Sequence, residues 1–176
     1  RLEVRERFGL KDEDFVFVFV ANNLALKGYV VLLEACRKIE PRKFKVLVIG
    51  QASGKEKAMA QPLGETFAFG GRALDLEYIY PACDCLVHPS YYDACSLVVL
   101  EALASGIPVI TTVANGAGMF VDGNGLVIPS DDPDALAQAM QEACAHKVVF
   151  RQAPIFKDQE AVFAEVESFM LTGGKP

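Results

Sequence analysis

The sequence predicts an α/β protein with a Rossmann-like, doubly wound parallel sheet, and three observations carry the prediction. Six short apolar runs recur along the chain, helix-like stretches alternate with them, and the runs are apolar almost without interruption. Strands of an all-parallel sheet are covered on both faces and read in this way, whereas half-solvated antiparallel strands alternate. Alternation of strand and helix implies repeated βα units with helices on each side of one sheet.

The elements follow in order. The opening from Arg1 to Arg7 is charged, does not fit a signal peptide and reads as the middle of a longer protein, an excised domain. Strands are expected over Phe15–Ala21, Lys45–Ile49, Thr66–Phe69, Cys85–His88, Val109–Thr112 and Leu126–Ile128. Helices are expected over Tyr29–Ile39, Glu56–Gln61, Leu74–Ala82, Ser96–Ala104 and Pro133–Ala145. After a break around Gln152–Ile155 a last helix is expected near Asp158–Leu171, and the tail Gly173–Pro176 should be loose. The division is therefore a sheet domain over 1–150 and a C-terminal helix and tail over 151–176.

Composition narrows the class. The 176 residues suit one domain with a full core, and 52% are hydrophobic. The net charge of −6 argues against a nucleic-acid footprint, which wants a basic face. Phosphate must then be met by a few placed cations and backbone amides. The five cysteines, Cys36, Cys83, Cys85, Cys95 and Cys144, are odd in number and irregular in spacing, as free thiols in a reducing compartment would be. Cys83-Asp84-Cys85 is too tight for usual zinc spacing, and no apolar run approaches the ~18 residues of a membrane helix.

Ligands of such sheets bind beyond the carboxyl ends of the strands, which directs attention to the loops at 22–28, 51–55, 70–73, 89–96 and 113–118. Two segments there are decoys. Gly50 to Glu56 has three residues between its glycines where a phosphate loop needs four, and Glu56 stands where Ser or Thr would hold magnesium; a flexible turn is the plainer reading. Gly116-Ala117-Gly118 has Val121 at the third glycine position of a dinucleotide fingerprint and comes too late in the chain.

The segment from His88 to Ile110 carries the chemistry. A strand ends at His88, a loop follows, and a helix starts with Ser96 as its expected N-cap. The amides at the start of that helix, near Cys95–Val98, form a ready diphosphate site. Asp93 precedes the helix, and Glu101 lies about a turn inside it among Val98, Val99, Leu100, Ala102 and Leu103. Eight positions at ~100° return to within ~80° of the starting direction, so both carboxylates can address one ligand. A solvated acid stabilising the helix start is the plainer alternative for Glu101. Carboxylates suit sugar hydroxyls, and Lys27 is the best placed cation for phosphates. His88 is expected to orient the loop, and Tyr91 and Tyr92 either to stack on a sugar or to pack.

These residues resemble the C-terminal domain of the family-4 retaining glycosyltransferases of two-Rossmann-domain (GT-B) architecture. The family's segment runs His-Pro-Ser, an acid, seven residues, then Glu-Ala and Gly-x-Pro-Val-Ile; here it is His88–Ile110 with Asp93 and Glu101. Lys27-Gly28, the lead-in with Tyr80, Ala82 and Asp84, and the late turn Asp122–Pro129 also match. Asn22, Asn23, Gly50, Gln51 and Arg72 look most like the lipopolysaccharide-core glucosyltransferases. The chain departs from the pattern in carrying Asp where Glu is usual at 93, no Arg in the first loop, and Met119 and Phe120 where the family runs on to a Glu.

The resemblance implies that Asp93 contacts the donor sugar, Glu101 the ribose, Lys27 the diphosphate and Arg72 the base, with backbone help from Ala94, Cys95, Ser96 and Leu97. It implies a UDP-hexose donor, retention, no metal, no other cofactor, and a glycan or glycolipid acceptor held by an absent N-terminal domain. It implies a cytoplasmic protein, with any peripheral contact to the inner membrane made by that missing half. An epimerase-like sugar-nucleotide protein and a non-catalytic nucleotide-binding domain of the same architecture remain the alternatives.

Overall fold

The computed structural model describes residues 1–146 and 148, apart from 42, 74 and 122. Six strands form one sheet: β1 (Phe15–Val20), β2 (Phe44–Ile49), β3 (Phe67–Gly71), β4 (Cys85–His88), β5 (Val109–Thr112) and β6 (Gly125–Ile128). Their order is β3-β2-β1-β4-β5-β6 and every pairing is parallel. The helices are α1 (Leu2–Arg7), α2 (Tyr29–Lys38), α3 (Gly54–Ala60), α4 (Leu76–Ile79), α5 (Leu97–Ala104) and α6 (Pro133–Cys144).

The apolar runs are central strands because successive side chains point to opposite faces and each face has its own cover. From β1, Phe17 and Phe19 enter a core with Leu32 and Leu33 of α2 and Leu136 and Met140 of α6. Val16, Val18 and Val20 enter the other core, with Val99, Ala102 and Leu103 of α5 and Ile79 of α4. Val16 through Phe19 have no exposed surface, so neither face of the strand tolerates a polar residue.

Several expected boundaries moved, each for a local reason. The first helix, unexpected from the charged opening, is tied down by Arg5, which is buried. Its guanidinium donates to the carbonyls of Ala82, Lys11, Asp12 and Asp14 and to Asp84 Oδ2. The segment after β2 is no flexible turn: Ser53 and Glu56 form a capping box, which starts α3 at Gly54. The expected helix over 74–82 is instead α4 followed by a 3₁₀ turn at Tyr80–Ala82, with Pro81 lacking the amide that would continue the α ladder. Gly116–Phe120 winds into a 3₁₀ turn capped by Asn115, whose side chain accepts from the amide of Ala117. The helix expected at 158–171, the break at 152–155, the tail and the 151–176 unit lie outside the described residues. No helix among the described residues is long and apolar enough to cross a membrane.

Candidate functional site

The strand order reverses between β1 and β4. After β1 the chain moves to β2 on one flank, and after β4 it moves to β5 on the other, so the two loops part and leave a crevice at the carboxyl ends. The loops are held in register by close backbone contact. Gly28 adopts φ +80°, and a Cβ there would meet the carbonyl oxygen of Pro89 at 1.9 Å, so only glycine fits. Asp93 pairs in parallel fashion with Asn115, its amide donating to Ala114 and its carbonyl accepting from Gly116. A Cβ at Gly116 would sit 2.0 Å from the Ala94 carbonyl oxygen.

This scaffold brings Lys27 and Asp93 together across 66 residues of chain. Lys27 Nζ lies 2.5 Å from Asp93 Oδ2, with the side chains 23% and 13% exposed. Burial pushes the Asp93 carboxyl up, but the hydrogen bond and charge of Lys27, then Ser96 and His88, outweigh it and leave the group below its ordinary value. His88, buried at the end of β4, stands 3.7 Å from Asp93 Oδ2 and 3.1 Å from Ser96 Oγ. Burial, then the charge of Lys27, lowers its pKa to about 4, so the ring is neutral at pH 7. Its Nδ1 and the nearby Ser90 Oγ are buried without a hydrogen-bond partner among the described residues.

Ser96 stands at the N-cap position of α5, but the expected cap is not made by its hydroxyl, which turns to His88. Its amide is also taken, donating to Asn115 Oδ1 at 3.2 Å. With the Ser96 amide taken, Leu97 and Val98 of the expected Cys95–Val98 set are the first residues of the helix, and their amides have no intrahelical acceptor. Both residues line a cleft of about 450 Å³ shared with Asn22, Gly50, Arg72 and Glu101. Glu101 is exposed on its rim, and Oε2 of its carboxylate accepts from the buried Tyr80 hydroxyl at 2.9 Å.

The predicted residues thus fall into two groups. Asn22, Gly50, Arg72, Leu97 and Glu101 line the cleft, whereas Lys27, Asp93 and Ser96 form a polar cluster outside its lining. Asp93 lies in the loop before the helix, where the ~100° spacing does not apply, so the loop places it beside Lys27 while the helix places Glu101 on the rim of the cleft. Asn23 caps its own turn, its Oδ1 accepting from the Leu26 amide, while Gln51, Ala94 and Cys95 are exposed. Asn115 and Tyr80 were missed as parts of the site. Asn115 was legible as an Asx turn in a carboxyl-end loop, but nothing local marked the Tyr80 contact, which joins residues 21 apart. Among the described residues no three His, Cys, Asp or Glu side chains group as metal ligands do.

The family model described as "Glycosyl transferases group 1" matches residues 14–146. The D-inositol 3-phosphate glycosyltransferase of Corynebacterium kroppenstedtii is 32% identical over 157 residues, covering 80% of this chain and 35% of its own. The lipopolysaccharide glucosyltransferase WaaG of Escherichia coli is 31% identical over 125 residues, 66% of this chain and 33% of its own. The crystal structure of WaaG superposes with a TM-score of 0.75 at 27% identity, over 82% of this chain and 42% of that one. The Anabaena HepE structure in complex with UDP and glucose shares the fold at TM-score 0.73 and 23% identity, over 84% of this chain and 44% of that one. The chain spans about a third of the length of the curated relatives it matches.

Proposed function

The chain belongs to the group 1 glycosyltransferase family, and from that premise we propose that it is the donor-binding half of a retaining hexosyltransferase using a nucleotide-diphosphate sugar. The observation that carries this reading is the cleft at the carboxyl ends of the strands, where a helix amino end, Arg72 and Glu101 converge. That combination suits a ligand anionic in its middle and rich in hydroxyls at its ends. The Leu97 and Val98 amides take the diphosphate, Glu101 the ribose and Arg72 the side of the base. Asp93 accepts from the sugar hydroxyls. An ammonium has three donor hydrogens, so Lys27 can hold Asp93 with one and still address phosphate oxygens with the others.

In the reaction the bond from the sugar's anomeric carbon to the diphosphate breaks, and one to an acceptor oxygen forms on the same face. The acceptor hydroxyl's proton passes to the departing phosphate oxygen on that face, and the nucleoside diphosphate leaves with the bonding pair. Lys27 and the helix amides stabilise that leaving charge in place of a metal ion, and no other cofactor takes part. The donor we propose is a UDP-hexose, and the acceptor a glycan or glycolipid bound by an N-terminal domain. The 31% identity with a lipopolysaccharide glucosyltransferase supports this pairing. The setting proposed is the cytoplasm, with contact to the inner membrane through the N-terminal domain.

The test is calorimetric titration with UDP, UDP-glucose, GDP, ADP and NADH, with and without EDTA, repeated on the Asp93→Ala/Glu101→Ala variant. The expected result is binding of the UDP series, unchanged by EDTA and lost in the variant. Binding of NADH alone, or binding that survives the double substitution, overturns the reading. Silence towards every ligand leaves a site completed only by the N-terminal domain or a non-catalytic domain, and titration of the full-length chain separates the two.

A further inference from the structure

We infer that Tyr80 is a positioning residue that fixes the Glu101 carboxylate and so sets this site's preference for a ribose over a sugar lacking the 2′ and 3′ hydroxyls. The inference rests on the reading above in which Glu101 receives the ribose.

Tyr80 is 1% exposed and packs in the core between the sheet and α5, with Ile79, Val99 and Leu103. A phenol has a single proton to donate, and Tyr80 spends it on Glu101 Oε2. Burial first, then the hydrogen bond and charge of Glu101, raise the Tyr80 pKa well above its ordinary value, so the hydroxyl stays a donor at every working pH. Engaging Oε2 leaves Oε1 for a ligand. The carboxylate needs this restraint because it has room on two sides. Glu101 lines both the cleft of about 450 Å³ with Arg72 and a second hollow of about 380 Å³ with Glu77, Tyr80, Ala104 and Ser105. An untethered glutamate on an exposed rim populates several rotamers, and the bond to Tyr80, which lines the second hollow, selects one of them and holds it. The tether removes the ordering that the ligand would otherwise impose, and a net hydrogen bond of ordinary strength corresponds to about five- to ten-fold in affinity.

The experiment titrates UDP and 2′,3′-dideoxy-UDP into this chain and into Tyr80→Phe, Glu101→Ala and the double variant, with thermal melts run alongside. In Tyr80→Phe the preference for UDP should fall about five- to ten-fold while dideoxy-UDP binds as before. In the Glu101→Ala background, adding Tyr80→Phe should change nothing further. Tyr80→Met fills the same core space without a donor and should lose the same preference, which covers the case in which Tyr80→Phe does not fold. If Glu101→Ala abolishes the preference while Tyr80→Phe, or Tyr80→Met in its place, keeps it whole, the role of Tyr80 is overturned. If Glu101→Ala leaves the preference intact, the ribose assignment itself is overturned.

Discussion

Lys27→Met isolates the ion pair on which the polar cluster is built. The substitution keeps an unbranched stem and removes the ammonium, leaving the Asp93 carboxylate with His88 as its nearest ring neighbour at 3.7 Å. Exposed pairs contribute ~0–1 kcal/mol, while removing one partner of a fully buried pair costs ~3–5 kcal/mol. Side chains 23% and 13% exposed fall between these limits, which places the loss at about 2 kcal/mol. For a domain of this size each kcal/mol moves the melting temperature by roughly 2–4 °C, so Lys27→Met should melt ~4–8 °C lower at pH 7. Asp93→Asn removes the stranded charge, and the double variant should recover most of the loss. A calorimetric cycle over the four proteins reads the coupling directly. Additive single effects would show that Lys27 and Asp93 are neighbours without energetic connection, and the clamp proposed for the diphosphate would lose its foundation. The depressed Asp93 pKa gives the sign with pH: its contribution is full above the unfolded value of 3.8 and is lost as pH falls through that region into the folded range.

Two further outcomes follow from burial. His88 is held at about 4 against an ordinary 6.5, so the unfolded chain takes up its proton first. Stability should therefore fall from pH 6.5 towards pH 4, by up to roughly 3 kcal/mol. Urea midpoints across that range should flatten in a folded His88→Asn variant, and an unchanged slope would refute the assignment. Cys95 is exposed beside the helix amino end, whereas Cys36, Cys83 and Cys85 are buried, the Cys83 thiol pushed up to about 12 by its burial. A thiol reagent should label Cys95 first, and UDP should slow that step; uniform labelling of several thiols would contradict the packing.

The fold was legible because a parallel sheet writes itself into local composition. The run Phe-Val-Phe-Val-Phe-Val at 15–20 admits no solvated face, and the strands at Cys85–His88 and Val109–Thr112 end where expected because His-Pro and a turn interrupt them. The capping box at Ser53 and Glu56 was equally local, and it was obscured only by the resemblance of its glycines to a phosphate loop. Arg5 was not legible. Its partners lie at 11, 12, 14, 82 and 84, and a charged residue in a charged opening carries no mark of burial.

The site divides in the same way. The candidate residues Lys27, Arg72, Asp93 and Glu101 were legible in the sequence, because their chemical types and their position beyond strand ends are properties of the chain itself. Which of them meet was decided by tertiary structure alone. The switch in strand order brings Lys27 to Asp93, the 3₁₀ turn at Tyr80 reaches Glu101, and Asn115 takes the amide expected to serve a phosphate. Periodicity specifies direction within one helix or strand, whereas these contacts join separate elements, and their geometry exists only once both faces of the sheet are packed.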